Sequence, residues 1–164
     1  MNQQFRDLAA ERIGIEAAAV QAVAAVFDDV TDQIIALLYE CSGKVFVTGS
    51  GTSGTIARRM AHLFSVCGTP SVYIQPSDAL HGTMGALREG DVLISISKGG
   101  TSDEINTLSK RARERGVTVV ALTSDADSEL AQLSDYVQVF EVDDQVDPGN
   151  LIAMGSTLMH AVWG

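Results

Sequence analysis

The 164-residue chain is poor in the residues that mark disulfide-bonded, membrane-spanning and nucleic-acid-binding proteins. Its 2 cysteines, Cys41 and Cys67, lack the spacing of a metal or redox pair, so we expect reduced thiols in a cytoplasmic protein. There is no run of about 18 apolar residues and no signal-peptide core near Met1, so neither a membrane span nor secretion is expected. The 11 basic residues face 21 acidic ones, and the net charge of −10 argues against nucleic acid and anionic membranes as partners.

The rest of the composition is that of one globular domain, with 46% hydrophobic residues, 20% charged residues and only 3 prolines. Apolar runs alternate with segments of helical periodicity, which predicts βαβ units. Strands are expected at residues 45–49, 71–75, 92–97, 117–123 and 136–142, and an acidic loop at 143–149 leads into a last helix starting near Asn150. The predicted fold is therefore α/β, a doubly wound five-stranded parallel sheet of the flavodoxin-like or Rossmann-like kind with an extra N-terminal helix.

Residues 1–43 are predicted to be a helical segment that packs on residues 44–164, the two forming one structural unit. Apolar residues recur at helical spacing over residues 2–41, with a break expected near Asp28-Asp29. This helix is expected to end at Ser42-Gly43, where glycine can adopt the left-handed conformation. Its long apolar face suits either a cover for the sheet or a contact with a second copy of the chain.

The first strand ends in the glycine loop Gly49-Ser50-Gly51-Thr52-Ser53-Gly54, and a helix is predicted from Thr55 to Cys67. A helix N-terminus carries about half a positive charge and attracts anions, phosphate above all. The loop also fits the dinucleotide motif G-x-G-x-x-G, but that motif needs an acidic residue at the end of the second strand, where Gln75-Pro76 stands. No Gly-Lys-Ser or Gly-Lys-Thr run closes this loop, which excludes a nucleotide P-loop.

A second glycine loop, Ser97-Lys98-Gly99-Gly100-Thr101-Ser102, follows the third strand and precedes a helix predicted from Asp103 to Arg115. Two such loops at the carboxyl ends of parallel strands form a crevice for a small anionic ligand. A phosphate monoester needs several converging donors, which hydroxyls and the uncovered N–H groups of Gly99 and Gly100 would supply. The predicted binding residues are Gly51, Thr52, Ser53, Ser97, Lys98, Gly99, Gly100, Thr101 and Ser102.

Two side chains in and near these loops have alternative interpretations. Lys98 is the one cation inside either loop, and it either binds the ligand or is a solvated loop residue. His81 follows the second strand in a short helix that Ser77-Asp78 is expected to cap. With an ordinary imidazole pKa of about 6.5, it is the candidate acid or base, the alternative being a solvent-exposed residue. No metal-ligand spacing stands out, and no role is expected for His62 or His160.

Further stretches of the chain carry a family resemblance. They are Gly68-Thr69-Pro70-Ser71, Ala79-Leu80-His81-Gly82, Ala121-Leu122-Thr123 and Pro148-Gly149-Asn150-Leu151. With the two loops, and in this order, they resemble the SIS (sugar isomerase) domain, a phosphosugar-binding α/β module, and within it the KpsF/GutQ group of arabinose 5-phosphate isomerases. The resemblance implies that an aldose and a ketose sugar phosphate are interconverted through an enediol, without a cofactor, by a homodimer or homotetramer.

The resemblance also implies roles for individual residues. Ser53, Ser97 and Ser102 match hydroxyls that hold the sugar phosphate, and His81 matches a histidine tied to ring opening or proton transfer. The departures are Thr52, where the group has a lysine, and Thr101 and Gln145, where it has glutamates. The paired CBS domains of the group are not among these 164 residues. Two hypotheses stay open, an isomerase and a non-catalytic phosphosugar sensor or binding protein, and the sequence does not predict which sugar is bound.

Overall fold

The chain folds around a sheet of five parallel strands, and the structure, a computed structural model, describes residues 2–150 and 153–164. The strands are β1 (Val45–Gly49), β2 (Ser71–Tyr73), β3 (Val92–Ile96), β4 (Thr118–Thr123) and β5 (Tyr136–Val139), in the order β2-β1-β3-β4-β5. All neighbouring pairs are parallel, so the predicted sheet is confirmed with the flavodoxin-like strand order. Met1, Leu151 and Ile152, which enter the sequence-based expectations, lie outside the described residues.

Helices cover both faces of the sheet, as a doubly wound fold requires. In the described residues they are α1 (Gln3–Ala22), α2 (Asp29–Glu40), α3 (Gly51–Val66), α4 (Pro76–Leu80), α5 (Asp103–Arg113), α6 (Glu129–Gln132) and α7 (Gly155–Trp163), with short 3₁₀ turns at Val23–Val26, Thr83–Ala86 and Pro148–Asn150. One apolar core lies between the sheet and α1, α2, α3 and α7. A second core lies between the opposite face and the helices α4 and α5.

Strand β3 shows how the two cores share the sheet. Val92, Ile94 and Ile96 belong to the first core, whereas Leu93 belongs to the second, because successive side chains of a strand point to opposite faces. The strand is buried along its whole length, which explains its nearly continuous apolar sequence. Its one polar residue, Ser95, is paired, with its Oγ 2.8 Å from Ser109 Oγ on α5.

The N-terminal helix breaks where the sequence predicts, between α1 and α2. The Asp28 side chain causes the restart, because its Oδ1 accepts the N–H groups of Val30 at 3.0 Å and Thr31 at 3.1 Å. The predicted left-handed glycine after α2 is wrong, since Gly43 does not have a positive φ. Gly43 is required for another reason: a Cβ there would lie 2.4 Å from Asp91 Oδ1.

The short helix α4 is capped differently from the prediction. Gln75, not Ser77 or Asp78, is the N-cap, and its Oε1 accepts the Asp78 N–H at 2.9 Å. Pro76 then occupies the first position of the helix, where its missing N–H costs nothing.

One negative finding concerns membranes. Across residues 2–150 and 153–164, none of the helices combines the length and apolar character that crossing a bilayer would require.

The turn from β1 into α3 depends on two glycines that touch each other. A Cβ at Gly49 would lie 2.8 Å from the carbonyl carbon of Ser53, and a Cβ at Gly54 would lie 2.7 Å from the Gly49 oxygen. Both are backbone contacts that no side-chain rotation relieves. The first turn of α3 can therefore approach the end of β1 only because neither residue has a side chain.

We predict that Gly54→Ala lowers the free energy of unfolding by about 1–3 kcal/mol, because the added methyl group is forced against backbone atoms. Gly14→Ala in α1 is the matched control, since apart from the adjacent residues and the backbone of the helix itself no described atom lies within 4 Å of a Cβ there. That change should instead raise the free energy of unfolding by up to about 1 kcal/mol through helix propensity. Urea unfolding of both variants measures the two effects, and equal changes would show that the contact between Gly49 and Gly54 is unimportant.

Candidate functional site

The two glycine loops lie side by side because β1 and β3 are neighbours. Gly49 of β1 pairs with Ile96 of β3, so Ser50 and Ser97 are the next residues along two adjacent strands. The strand order reverses direction between these strands, and α3 and α5 leave from them to opposite faces of the sheet. Such a switch point opens a crevice outside the carboxyl ends of the strands, which is where ligands of doubly wound sheets bind.

The first loop is more helical than the sequence predicts. Helix α3 begins at Gly51 rather than Thr55, so Gly51, Thr52 and Ser53 form its first turn. Gly51 has a φ of +57°, which a glycine adopts without strain. The N–H groups of a first helical turn have no partner inside the helix. The prediction of donors at Gly51, Thr52 and Ser53 is therefore consistent with the backbone, although the helix boundary was wrong.

The second loop brings two predicted hydroxyls together. Ser97 is buried at the end of β3, and its Oγ lies 3.4 Å from the Oγ of Ser102, the N-cap residue of α5. Gly99 and Thr101 between them are exposed. The hydroxyls of Ser97 and Ser102 thus converge at the N-terminus of α5, next to the first loop.

Gly100 is part of the scaffold of the second loop. Its N–H donates to the Ser97 carbonyl at 3.1 Å, so the prediction of an uncovered N–H at this glycine is wrong. Its carbonyl accepts the Leu130 N–H and the Asn106 Nδ2, both at 3.1 Å. With a φ of +61° and a Cβ position only 2.2 Å from Ser128 Oγ, no other residue fits here.

Helices α3 and α5 differ from the other helices in how they begin. Side chains accept N–H groups at the N-termini of α1, α2, α4, α6 and α7; the accepting residues are Asn2, Asp28, Gln75, Ser128 and Asp147. Ser50 before α3 and Ser102 before α5 are both serines, yet neither hydroxyl caps its own helix. Because an uncapped N-terminus keeps donors and a partial positive charge, the crevice combines two anion-attracting helix ends.

One of the two interpretations of Lys98 was a solvated loop residue. The structure contradicts it, because the Lys98 ammonium is paired with a carboxylate. Its Nζ lies 2.7 Å from Oδ2 of Asp147, a residue that is 1% exposed while the Lys98 side chain is 27% exposed. Asp147 also accepts the N–H groups of Met154 at 2.8 Å and Ser156 at 3.1 Å and the Ser156 hydroxyl at 2.5 Å. Burial acts to raise the pKa of Asp147, but the bonds from Lys98, Ser156 and Met154 outweigh it and hold that pKa below its usual value.

The last helix starts later than predicted, and Asp147 accepts an N–H group of its first turn. Helix α7 begins at Gly155 rather than near Asn150, whose side chain lies outside the described part of the structure. From the sequence, Asp147 was one member of an acidic loop. An acidic residue ahead of Pro148-Gly149 and a helical segment was the available signal for a cap, but nothing in the sequence links it to Lys98.

His81 has no hydrogen bond to either glycine loop among the described residues. It is the C-cap residue of α4, which follows β2 and packs against α5. The side chain is exposed, and in the described residues no hydrogen bond to its imidazole is found. The structure therefore leaves the His81 side chain exposed, without a protein partner among the described residues that would fix its ring.

The three positions that depart from the arabinose 5-phosphate isomerases are all exposed. Thr52 lies in the first turn of α3, Thr101 lies in the second loop, and Gln145 lies between β5 and α7. Gln145 contributes backbone contacts, since its carbonyl accepts Arg12 Nη1 at 2.7 Å. These substitutions alter the surface of the crevice and its surroundings and not the core.

Arg58 is a residue of the site that the sequence analysis missed, and it lines a small cavity of about 170 Å³ beside the first loop. The cavity is lined by Gly49, Ser50, Gly51, Gly54, Arg58, Tyr73 and Gln75. The guanidinium carbon of Arg58 lies 4.6 Å from the centre of the Tyr73 ring, a cation–π contact. Arg58 follows the first loop by one helical turn, and this spacing was the signal for a cation near the crevice.

In the described parts of the chain, no group of three or more His, Cys, Asp or Glu side chains is placed to hold a metal ion.

His160 and His62 have opposite environments. His62 is exposed on α3, whereas His160 on α7 is 2% exposed and packs edge-on against Phe140, with the ring centres 4.6 Å apart. The Nε2 of His160 has no hydrogen-bond partner among the described atoms. Burial lowers the pKa of His160 to about 4, although the charge of Asp147 acts in the opposite direction.

We predict that His160 makes the fold less stable as the pH falls from about 6.5 towards 4. Its pKa is about 4 in the fold and 6.5 when exposed, so the unfolded chain binds the proton first and is favoured within this window. The loss is at most roughly 3 kcal/mol. Urea unfolding between pH 4 and pH 7 should show a shallower pH dependence for His160→Gln and an unchanged one for His62→Gln. Identical profiles for wild type and His160→Gln would contradict the prediction.

The comparisons with known proteins agree with this geometry. The SIS domain family matches residues 37–162. Arabinose 5-phosphate isomerase KdsD of Pseudomonas aeruginosa is 32% identical over 163 residues, which cover 99% of this chain and 50% of that protein. The KdsD enzyme of Francisella tularensis is 38% identical over 121 residues, which cover 74% of this chain and 37% of that protein. The chain thus spans about half the length of the curated relatives it matches.

Solved structures show the same fold over 99% of the chain. A proposed sugar-phosphate isomerase of Listeria monocytogenes superposes with a TM-score of 0.93 at 33% identity, covering 99% of this chain and 86% of that one. The Escherichia coli CFT073 protein c3406, solved in complex with arabinose 5-phosphate, superposes with a TM-score of 0.90 at 29% identity, also covering 99% and 86%. By its strand order, its paired glycine loops and these matches, the chain belongs to the SIS domain family.

Proposed function

We propose that the chain binds a sugar phosphate at the switch point between β1 and β3 and interconverts its aldose and ketose forms. The observation that carries the binding proposal is the pair of uncapped helix N-termini of α3 and α5, which face the same crevice with serines at both N-caps. Phosphate is the ligand that such helix ends favour. The names of the relatives support a phosphorylated pentose, and arabinose 5-phosphate is the first substrate to test.

The phosphate would be held by the second loop together with the first turn of α3. The hydroxyls of Ser97 and Ser102, already 3.4 Å apart, and that of Ser53 would donate to its oxygens. The further binding residues that we propose are Gly51, Thr52, Lys98, Gly99 and Thr101, with Gly100 shaping the loop. Ser50 joins them because its hydroxyl does not cap α3.

The proposed chemistry is a proton transfer between neighbouring carbons of the sugar. A base removes the proton from the carbon next to the carbonyl carbon and an acid protonates the carbonyl oxygen, which gives an enediol. The former carbonyl carbon is then protonated, while the hydroxyl on the neighbouring carbon loses its proton and becomes the new carbonyl group. His81 is the proposed acid or base, since it is exposed and follows the carboxyl end of β2 through the short helix α4.

The alternative is a phosphosugar sensor or binding protein that performs no chemistry. The observation that favours it is the side chains at the three departing positions: Thr52 has no charge, and Thr101 and Gln145 have no carboxylate. Lys98 does not simply replace the missing lysine charge, because its ammonium already faces Asp147. The two functions share the binding site and differ in whether the bound sugar exchanges a proton.

We also propose that the protein forms a homodimer or homotetramer and works in the cytoplasm. Helix α1 packs against α7, yet it exposes Phe5, Leu8 and Ile13, large apolar residues that a second copy could cover. The thiols of Cys41 and Cys67 are free, as is usual in a reducing compartment.

Replacing Ser97 by alanine should weaken the binding of arabinose 5-phosphate by about 1–3 kcal/mol, because one donor to a charged group is lost. Ser95→Ala is the matched control on the same strand, since Ser95 is buried and bonded to Ser109. Isothermal titration calorimetry of both variants tests the site. Equal affinity of wild type and Ser97→Ala would place the binding site elsewhere.

Incubation with arabinose 5-phosphate in heavy water should introduce deuterium at the carbon next to the carbonyl group, because the enediol exchanges its proton with solvent. His81→Ala should abolish this uptake and retain sugar binding, whereas His62→Ala, which changes an exposed histidine of α3, should leave both intact. Mass spectrometry of the recovered sugar measures the exchange. Binding without deuterium uptake in the wild type would identify the non-catalytic sensor.

A further inference from the structure

Lys98 and Asp147 form the charged contact between the second glycine loop and the segment that leads into α7. Lys98 directly follows the buried Ser97 at the carboxyl end of β3, where the crevice opens. Asp147 lies between β5 and α7, and its Oδ2 is 2.7 Å from Lys98 Nζ. The ion pair therefore links the lysine of the second loop to a residue that is far away in the sequence.

Asp147 does not depend on Lys98 to be satisfied. Its carboxylate is held by the N–H of Met154 and by the N–H and hydroxyl of Ser156, all within 3.1 Å. These bonds fix the carboxylate at the start of α7, and α7 packs in turn against α1 and α3. Asp147 is thus a fixed anchor whose side chain is 1% exposed. The Lys98 side chain, its partner in the pair, is 27% exposed.

A fixed lysine is useful to this protein for a physical reason. The chain has a net charge of −10, so its overall field repels an anionic ligand and attraction must come from local groups. A free lysine loses up to about 2 kcal/mol of side-chain entropy when a ligand orders it. An anchored lysine has already lost this freedom, and pre-organised groups bind with less cost.

We propose that Asp147 is a positioning residue that holds the Lys98 ammonium at the crevice, where Lys98 contacts the phosphate of the bound sugar. This inference rests on the proposed function, because it assumes a sugar phosphate in the crevice. Lys98 is the binding residue, and Asp147 acts through it. An ammonium has three donor hydrogens, so one group can serve a carboxylate and a phosphate together.

The test measures the dissociation constant of arabinose 5-phosphate for the full chain and four variants, by calorimetry at several concentrations of KCl. Lys98→Met should weaken binding about 10- to 100-fold and make it less sensitive to salt, since a charged contact is lost. Lys98→Arg should retain most of the affinity. Asp147→Asn should weaken binding several-fold, and the double variant Lys98→Met with Asp147→Asn should bind as Lys98→Met does.

The double variant separates positioning from general damage. If Asp147 acts only by orienting Lys98, its replacement has no further effect once Lys98 is gone. If Asp147→Asn disturbs α7 and the crevice as a whole, it weakens binding by the same factor in both backgrounds. Asparagine keeps an oxygen that can accept the N–H groups of Met154 and Ser156, and Asp147→Ser repeats the comparison if the first variant does not fold.

Asp135→Asn is the matched control. Asp135 also pairs with a cation and accepts a backbone N–H, with Arg113 Nη2 at 2.9 Å and Val119 N at 2.9 Å. It lies before β5, at the edge of the sheet opposite the crevice. Its replacement should leave the dissociation constant and the salt dependence unchanged.

Two results would overturn the inference while leaving the proposed function intact. One is unchanged or tighter binding by Asp147→Asn, together with weakened binding by Ser97→Ala. The other is equal weakening by Asp147→Asn in the presence and absence of Lys98. If the wild type binds no sugar phosphate at all, the proposed function fails and the inference fails with it.

Discussion

The parallel pairing of β1 with β3 is the contact on which the site depends. It places Gly49 beside Ile96, so both glycine loops start at the same height on the same edge of the sheet. Because α3 and α5 then leave to opposite faces, the loops separate and open a crevice between two helix N-termini. The close contact of Gly49 with Gly54 and the tight seat of Gly100 against Ser128 keep the two loops in that arrangement.

The site resolves a conflict between the charge of the protein and the charge of its proposed ligand. With 21 acidic and 11 basic residues, the chain as a whole repels anions. Hydroxyls, backbone N–H groups and two helix dipoles attract an anion only at short range, which the large negative charge does not prevent. Lys98 is the cation of the second loop, and its ammonium lies 2.7 Å from Oδ2 of the buried Asp147. Selectivity for a small phosphate ester over larger polyanions would follow from this short range.

Local patterns predicted the fold well, and failed where a long-range contact overrides them. The strand order, the helices on both faces and the restart of the chain at Asp28 follow from periodicity and capping chemistry. The predicted left-handed conformation of Gly43 and the predicted uncovered N–H of Gly100 were wrong. Both positions need glycine because atoms of Asp91 and Ser128, which are far away in sequence, lie close to them. The start of α3 was placed too late, since Gly51 and Gly54 normally disfavour helix and here form its first turn.

The sequence by itself determined the class of fold, the two glycine loops and the hydroxyls that line them, because strand periodicity and glycine position are local properties of the chain. The resemblance to the SIS domain rested on these loops together with four further stretches of the chain, and the family match confirmed it. Only the tertiary structure decided that Ser50 and Ser102 leave their helices uncapped, that the N–H of Gly100 is occupied, and that Lys98 faces Asp147. Each of these depends on which donors and acceptors become neighbours in the folded chain. The partners are distant in sequence, so only the tertiary packing determines them.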